Sequence, residues 1–188
     1  RSAYFLPVLV ATALVSLVWK LIYSTDLGIL NYYLGLVGIA PVGWPTDQRV
    51  AMVSIVGMDV WKHVGFFMII MLAALQSIPR PLLEVAKLDG AGFWRTFWSI
   101  KLPLIAPVVL FCVTYATITG LQVFDSIRIL TAGGPGDATM SMVLYMYEQT
   151  FGAQDIGAGS AAAFILMAAI VVTTLIQTRV GRRANVRM

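Results

Sequence analysis

Two stretches of this sequence, Leu102–Phe124 and Ile156–Thr178, run for 23 residues each without a formal charge. About 20 apolar residues carry an α-helix across the hydrocarbon core of a bilayer. Residues 2–19 also lack formal charge, and residues 63–79 lack Asp, Glu, Lys and Arg, with the apolar run reaching back toward Ala51. The pattern predicts four spans, at about 3–23, 50–77, 103–125 and 157–178. Buried helices or strands of a large soluble protein are the alternative. Four such runs in 188 residues leave too little polar sequence to cover them. Composition agrees: 59% of residues are hydrophobic and 12% charged, against roughly 45–50% and 25% for an ordinary soluble domain. An ordinary soluble enzyme is excluded, and a single cysteine, Cys112, excludes a disulfide scaffold. The first span does not read as a signal peptide, since Arg1 is a weak basic start and no small-x-small cleavage site follows. The chain begins without methionine, so either a fragment or a missing start is expected.

Charges between the spans set an orientation. Residues 78–102 hold Arg80, Lys87, Arg95 and Lys101 against Glu84 and Asp89, and the tail holds Arg179, Arg182, Arg183 and Arg187 without an acid. The other connections are acidic: Asp26 and Asp47 against Arg49, then Asp137, Glu148 and Asp155 against Arg128. The positive-inside rule places residue 1, the 78–102 loop and the C-terminus in the cytoplasm. The net charge of +4 is mostly this topology signal. The basic residues are dispersed, so no nucleic-acid partner is expected.

The cytoplasmic connection has internal structure. Pro79 and Pro81 end one helix and can open another. Residues 81–88 suit two helical turns, and Asp89-Gly90 is a turn signal. Residues 91–100 suit a second short helix, whose Phe93, Trp94, Phe97 and Trp98 share a face. Pro103 stands at the start of the next span. Such an element can rest on lipid headgroups or dock a soluble partner.

The spacing Glu84-x-Ala86-x3-Gly90-x9-Ile100-x-Leu102-Pro103 resembles the EAA loop of importer-type ABC transporter permeases. Val85 departs from the second alanine of that pattern. Asp89 lies beside the glycine of the same turn. In the family, this loop is the coupling helix seated in a groove of the cytoplasmic ATPase. The resemblance covers nearly the whole chain, residues 1–188, as a partial importer transmembrane domain with its coupling loop at 78–103. Ala3-Tyr4-Phe5-Leu6-Pro7, Gln122-Val123-Phe124-Asp125 and Leu130-Thr131-Ala132-Gly133-Gly134-Pro135 are similar to the MalF/UgpA-like subunit of carbohydrate-uptake permease pairs. The implied fold class is all-α: a polytopic membrane protein with four visible transmembrane helices and a cytoplasmic coupling helix. Such subunits have about six spans, so one or two more are expected upstream.

Polar residues within the spans are the candidate substrate path. Asp59, Lys62 and His63 fall in the outer half of the second span. Asp59 and Lys62 are three apart and can form a local ion pair. They can instead line the path, or Lys62 can snorkel to the outer headgroups. His63 can donate to a sugar hydroxyl or satisfy an interhelical hydrogen bond. In the third span Tyr115, Thr119 and Gln122 form an i, i+4, i+7 stripe that suits sugar hydroxyls and ring faces. Threonine back-bonding and helix packing are the other uses of such residues. Asp125 can cap that span or sit at a gate. The cluster Thr131-Ala132-Gly133-Gly134-Pro135-Gly136-Asp137 lacks a lysine and reads as a tight turn rather than a phosphate loop. Small residues at Gly157–Ala163 suit close helix packing.

The resemblance implies one of two membrane subunits of an ATP-driven sugar importer in a prokaryotic cell (inner) membrane, multi-pass and with the C-terminus cytoplasmic. Implied partners are a second permease subunit, two cytoplasmic ATPase subunits, an extracellular or periplasmic sugar-binding protein, the lipid bilayer and the sugar substrate. No catalytic residue, metal site or cofactor is expected in this chain. ATP and Mg would be bound by the ATPase subunits, since no Gly-x4-Gly-Lys-Ser/Thr loop is present. One histidine gives no His-based metal cluster. The alternative is a membrane scaffold or assembly protein that uses the 78–103 loop only as a dock.

Overall fold

A computed structural model describes residues 2–185. Arg1 and Arg187, which enter the charge reading, lie outside the described residues, as do the side chains of Arg182 and Arg183. The described chain is helical and has no strand. Its elements are α1 (Ser2–Leu9), α2 (Thr12–Ile22), α3 (Ile29–Leu36), α4 (Ala51–Gln76), α5 (Arg80–Leu88), α6 (Phe93–Thr96), α7 (Leu102–Leu121), α8 (Asp125–Leu130), α9 (Met142–Tyr147) and α10 (Ile156–Asn185). A π-helical turn, Phe97–Lys101, joins α6 to α7, and another, Glu148–Gly152, follows α9. Three helical stretches, Ala51–Gln76, Phe93–Leu121 and Ile156–Gly181, are long and apolar enough to cross a bilayer. The fourth apolar segment is shorter.

That shorter segment departs from the continuous span expected over 3–23. The region is two helices, α1 and the shorter apolar α2, broken where Ala11 adopts an extended conformation (φ −55°, ψ 136°). The third span is also displaced from 103–125. It begins at Phe93 because the expected second short helix runs straight into it. Pro103 has no N–H to return to the preceding turn. The π turn absorbs the fault, with the Leu102 N–H donating to the carbonyl of Phe97, five residues back. At the other end α7 stops at Leu121, and Gln122 lies beyond it. Phe124 leaves helical geometry (φ −135°), the Val123 carbonyl accepts from Ser141 Oγ at 2.9 Å, and both residues pack on the core.

The chain divides into two compact units. The first comprises the residues up to Gly65 together with Thr119–Ala168. Its core is Val15, Tyr23, Ile55, Met58, Ile127, Leu130 and Leu144, with α2 packed on α8. The Tyr23 hydroxyl donates to the Ser54 carbonyl at 2.8 Å, pinning the end of α2 to α4. Buried Asn31 organises the connection between α2 and α4: its amide donates to the carbonyls of Thr25 and Val42, and its Oδ1 accepts from Trp44 Nε1 and the Val42 N–H. The glycine-rich segment is a tight turn closed on itself. Thr131 and Thr139 hydroxyls meet at 2.7 Å, and Thr139 donates to the Gly134 carbonyl. Among the small residues at the start of α10, Gly159 is buried and has no room for a Cβ against Thr150 Oγ1, while Ala162 is buried as well.

The second unit comprises Phe66–Ile118 and the residues from Ala169. Its core is Ala74, Ile78 and Ile105, with Met71, Leu75, Leu83, Val108 and Val109 around it. Leu83 thereby seats α5 against the ends of α4 and α7.

Candidate functional site

In the helical hairpin over residues 80–101, α5 begins at the Pro79–Pro81 step, where proline suits the first turn. It ends in a Schellman motif. The Ala91 N–H donates to the Ala86 carbonyl at 2.9 Å and the Gly90 N–H to the Lys87 carbonyl at 3.0 Å. Gly90 takes φ +72° to close it. Gly92 then caps α6 in an extended conformation. Ala86 is buried, while Glu84, Val85, Asp89 and Gly90 are exposed. Val85, the departure from the alanine pattern, therefore faces outward rather than into this hairpin. Phe93, Trp94 and Trp98 are all largely exposed, and Lys101 approaches the Phe93 ring face at 6.0 Å. Ile100, Leu102 and Pro103 are half-buried along the π turn and the first residues of α7.

The polar residues on α4 do not form the arrangement their spacing suggests. Lys62 is 3% exposed. Its ammonium donates to the carbonyls of Val10 at 2.9 Å and of Pro7 and Val8 at 3.4 Å. The sole ion pair among the described residues is Arg128–Glu148, at 3.5 Å. Lys62 is thus neither the ion-pair partner of Asp59 nor a snorkelling side chain. Its ammonium is turned onto the backbone carbonyls at the end of α1 and the break after it. Asp59 instead accepts from Ser126 Oγ at 3.1 and 3.2 Å, which ties α4 to α8. His63 Nδ1 donates to the Asp59 carbonyl at 2.9 Å, a bond within its own helix rather than between helices.

Tyr115 and Thr119 stay one turn apart on α7, but the expected stripe loses its third member because Gln122 lies past the helix end. Within the second unit Tyr115 sits among aromatic rings. Phe66 is 5.3 Å away by ring centroid, and Phe67 and Phe111 are 6.2 Å away. Nearby, Gln177 Nε2 donates to Thr117 Oγ1 at 2.8 Å and joins α10 to α7. Asp125 is the first residue of α8, whose N-cap is Phe124, so its carboxylate lies in the first turn of that short helix and does not cap the span. Ser126, Phe66 and Gln177 were not legible as site neighbours. Each meets its partner across 49 to 67 residues of sequence, where no periodicity operates. No group of three His, Cys, Asp or Glu side chains among the described residues could hold a metal.

The family model for the binding-protein-dependent transport system inner membrane component matches residues 3–186. The chain belongs to this family. It is 37% identical over 182 residues to the trehalose/maltose transport system permease protein MalF of Thermococcus litoralis, an alignment covering 97% of this chain and 61% of that protein. It is 35% identical over 189 residues to the sn-glycerol-3-phosphate transport system permease protein UgpA of Pectobacterium atrosepticum, covering 98% and 63%. Among solved structures it is similar to a chain of the bacterial alginate ABC transporter crystallised with an alginate pentasaccharide-bound periplasmic protein. The TM-score is 0.87 at 25% identity, over 97% of this chain and 64% of that one. The chain thus spans about three fifths of the curated relatives it matches. The resemblance read from the 84–103 spacing is borne out, and so is an all-α membrane fold.

Proposed function

We propose that the chain is the permease subunit of an ATP-driven sugar importer, forming half of a translocation path. The observation that carries this is family membership over residues 3–186, joined to a fully formed helical hairpin at the EAA-like positions. In this assignment α5 and α6 are the coupling element, with Glu84, Asp89 and the Phe93–Trp94–Trp98 surface turned toward a cytoplasmic ATPase. The proposed partners are two such ATPase subunits, a second permease subunit and an extracellular or periplasmic sugar-binding protein. ATP and Mg are assigned to the ATPase subunits, and this chain is assigned no catalytic role. Residue 1, the 78–103 loop and the C-terminus lie in the cytoplasm, as the positive-inside rule requires. Family membership favours transport over the scaffold alternative.

For the path, Tyr115 with its aromatic neighbours is the proposed sugar-facing group of the second unit, and Thr119 is a separate candidate of the first. Asp59 and His63 shape the outer part through Ser126 and the α4 backbone. The test is ATP-dependent uptake of labelled sugars by vesicles carrying the assembled transporter. Uptake that needs ATP and disappears in Glu84→Lys, with membrane insertion retained, is the expected result. Equal uptake by the variant sinks the coupling assignment, and a sugar-specific change of KM in Tyr115→Ala is expected if that ring meets substrate.

A further inference from the structure

The break between α1 and α2 leaves helix-end carbonyls without their i+4 N–H partners inside an apolar segment; the Pro7 carbonyl keeps a longer bond from the Val10 N–H, at 3.4 Å. A buried, unpaired backbone carbonyl in such surroundings is costly. In transporters with helices broken inside the membrane, exposed half-helix carbonyls typically coordinate a bound sodium ion or proton. Here the carbonyls of Pro7, Val8 and Val10 converge on one ammonium, and that ammonium belongs to Lys62.

Three independent features mark this contact as built. Three carbonyls lie within 3.4 Å of the Lys62 ammonium, matching its three donors in number, and the side chain is almost wholly buried. The negative end of the α1 dipole faces the cation. One turn further along α4, buried Gly65 lies so close to the Tyr4 carbonyl that a Cβ would collide with it. Helix α1 is therefore held on α4 at two levels, by a cation and by backbone contact.

We infer that Lys62 is a tethered cation that occupies the place a free monovalent cation would take at this broken helix, and that it positions α1 on α4. It is a positioning residue. This rests on the described geometry and not on the transport assignment. Its chemical consequence is specific: the site requires a cationic hydrogen-bond donor, and removing the side chain creates a need for one in solution.

The test uses the assembled transporter in proteoliposomes, in a Cys112→Ala background, with spin labels at Leu6→Cys and Val60→Cys, both exposed. A narrow label distance is expected for the native lysine and for a Lys20→Met control. Lys62→Met is expected to broaden it and to reduce uptake about tenfold or more. In Lys62→Ala, methylammonium is expected to restore the narrow distance, whereas tetramethylammonium, which cannot donate, is not. A narrow distance and full uptake in Lys62→Met overturn the inference. So does equal indifference of Lys62→Ala to both amines. Where Lys62→Met fails to assemble, Lys62→Arg decides: recovery supports the charge requirement and equal failure overturns it. Because the label distance is read without substrate, an importer assignment that failed would leave it intact.

Discussion

Gly90 closes the hairpin at φ +72°, and this geometry makes a graded prediction. A Cβ built there meets no heavy atom within 4 Å, so Gly90→Ala introduces backbone strain without a clash. The left-handed conformation costs an alanine roughly 1–2 kcal/mol. That shifts the balance between closed and open hairpin about 5- to 30-fold. Asparagine visits this region more readily, so Gly90→Asn should cost less than Gly90→Ala despite its larger side chain. Gly90→Pro should cost most. It fixes φ near −65° and deletes the N–H that donates to Lys87, and with it the left-handed turn that lets Ala91 reach Ala86. The assay is ATP-driven sugar uptake beside basal ATPase activity of the assembled transporter, with membrane insertion checked for each variant. Expected uptake falls in the order Gly, Asn, Ala, Pro, while ATP hydrolysis loses its dependence on sugar. Better uptake by Gly90→Ala than by Gly90→Asn would show that bulk, not backbone conformation, governs this turn. Full coupling in Gly90→Pro would refute the coupling role proposed for the hairpin.

Other substitutions separate packing from hydrogen bonding. Gly65→Ala places a methyl against the Tyr4 carbonyl, a backbone atom that cannot swing aside; about 1–3 kcal/mol of overpacking strain should lower the melting temperature. Ser126→Ala removes the donor that Asp59 accepts. A stability loss of about 1–3 kcal/mol is expected in thermal unfolding, and no loss would mean Asp59 is satisfied without it. Gln177→Leu should be neutral or stabilising. It forfeits one bond to Thr117 but removes a buried Oε1 that lacks a partner. A large fall in melting temperature would contradict that accounting.

Some features were legible because their causes are local. A charge-free run reports its own transfer free energy to lipid, so the long helices over Ala51–Gln76 and Ile156–Gly181 follow closely from the expected 50–77 and 157–178. The Asp89-Gly90 turn was also readable, since a positive φ is a property of one residue and its neighbours. Lys62 shows the opposite case. From its spacing it could pair with Asp59, line a path or snorkel. Its true acceptors lie 52 to 55 positions away and exist only because the chain breaks between α1 and α2. Gln122 was placed on a helix by periodicity. It falls outside because Val123 and Phe124 are drawn into a core built with Tyr23, Ile127 and Leu144.

The sequence by itself determined the solvent of this protein, the number of apolar segments and the hairpin between two of them. Each is set by hydropathy, charge or a backbone preference within a few residues. Only the tertiary structure decided where the first segment breaks and where the third ends. It also decided which groups Asp59 and Lys62 meet. Such outcomes turn on freed backbone groups finding partners in distant helices, and a buried carbonyl or carboxylate takes whichever donor the packing brings within about 3 Å.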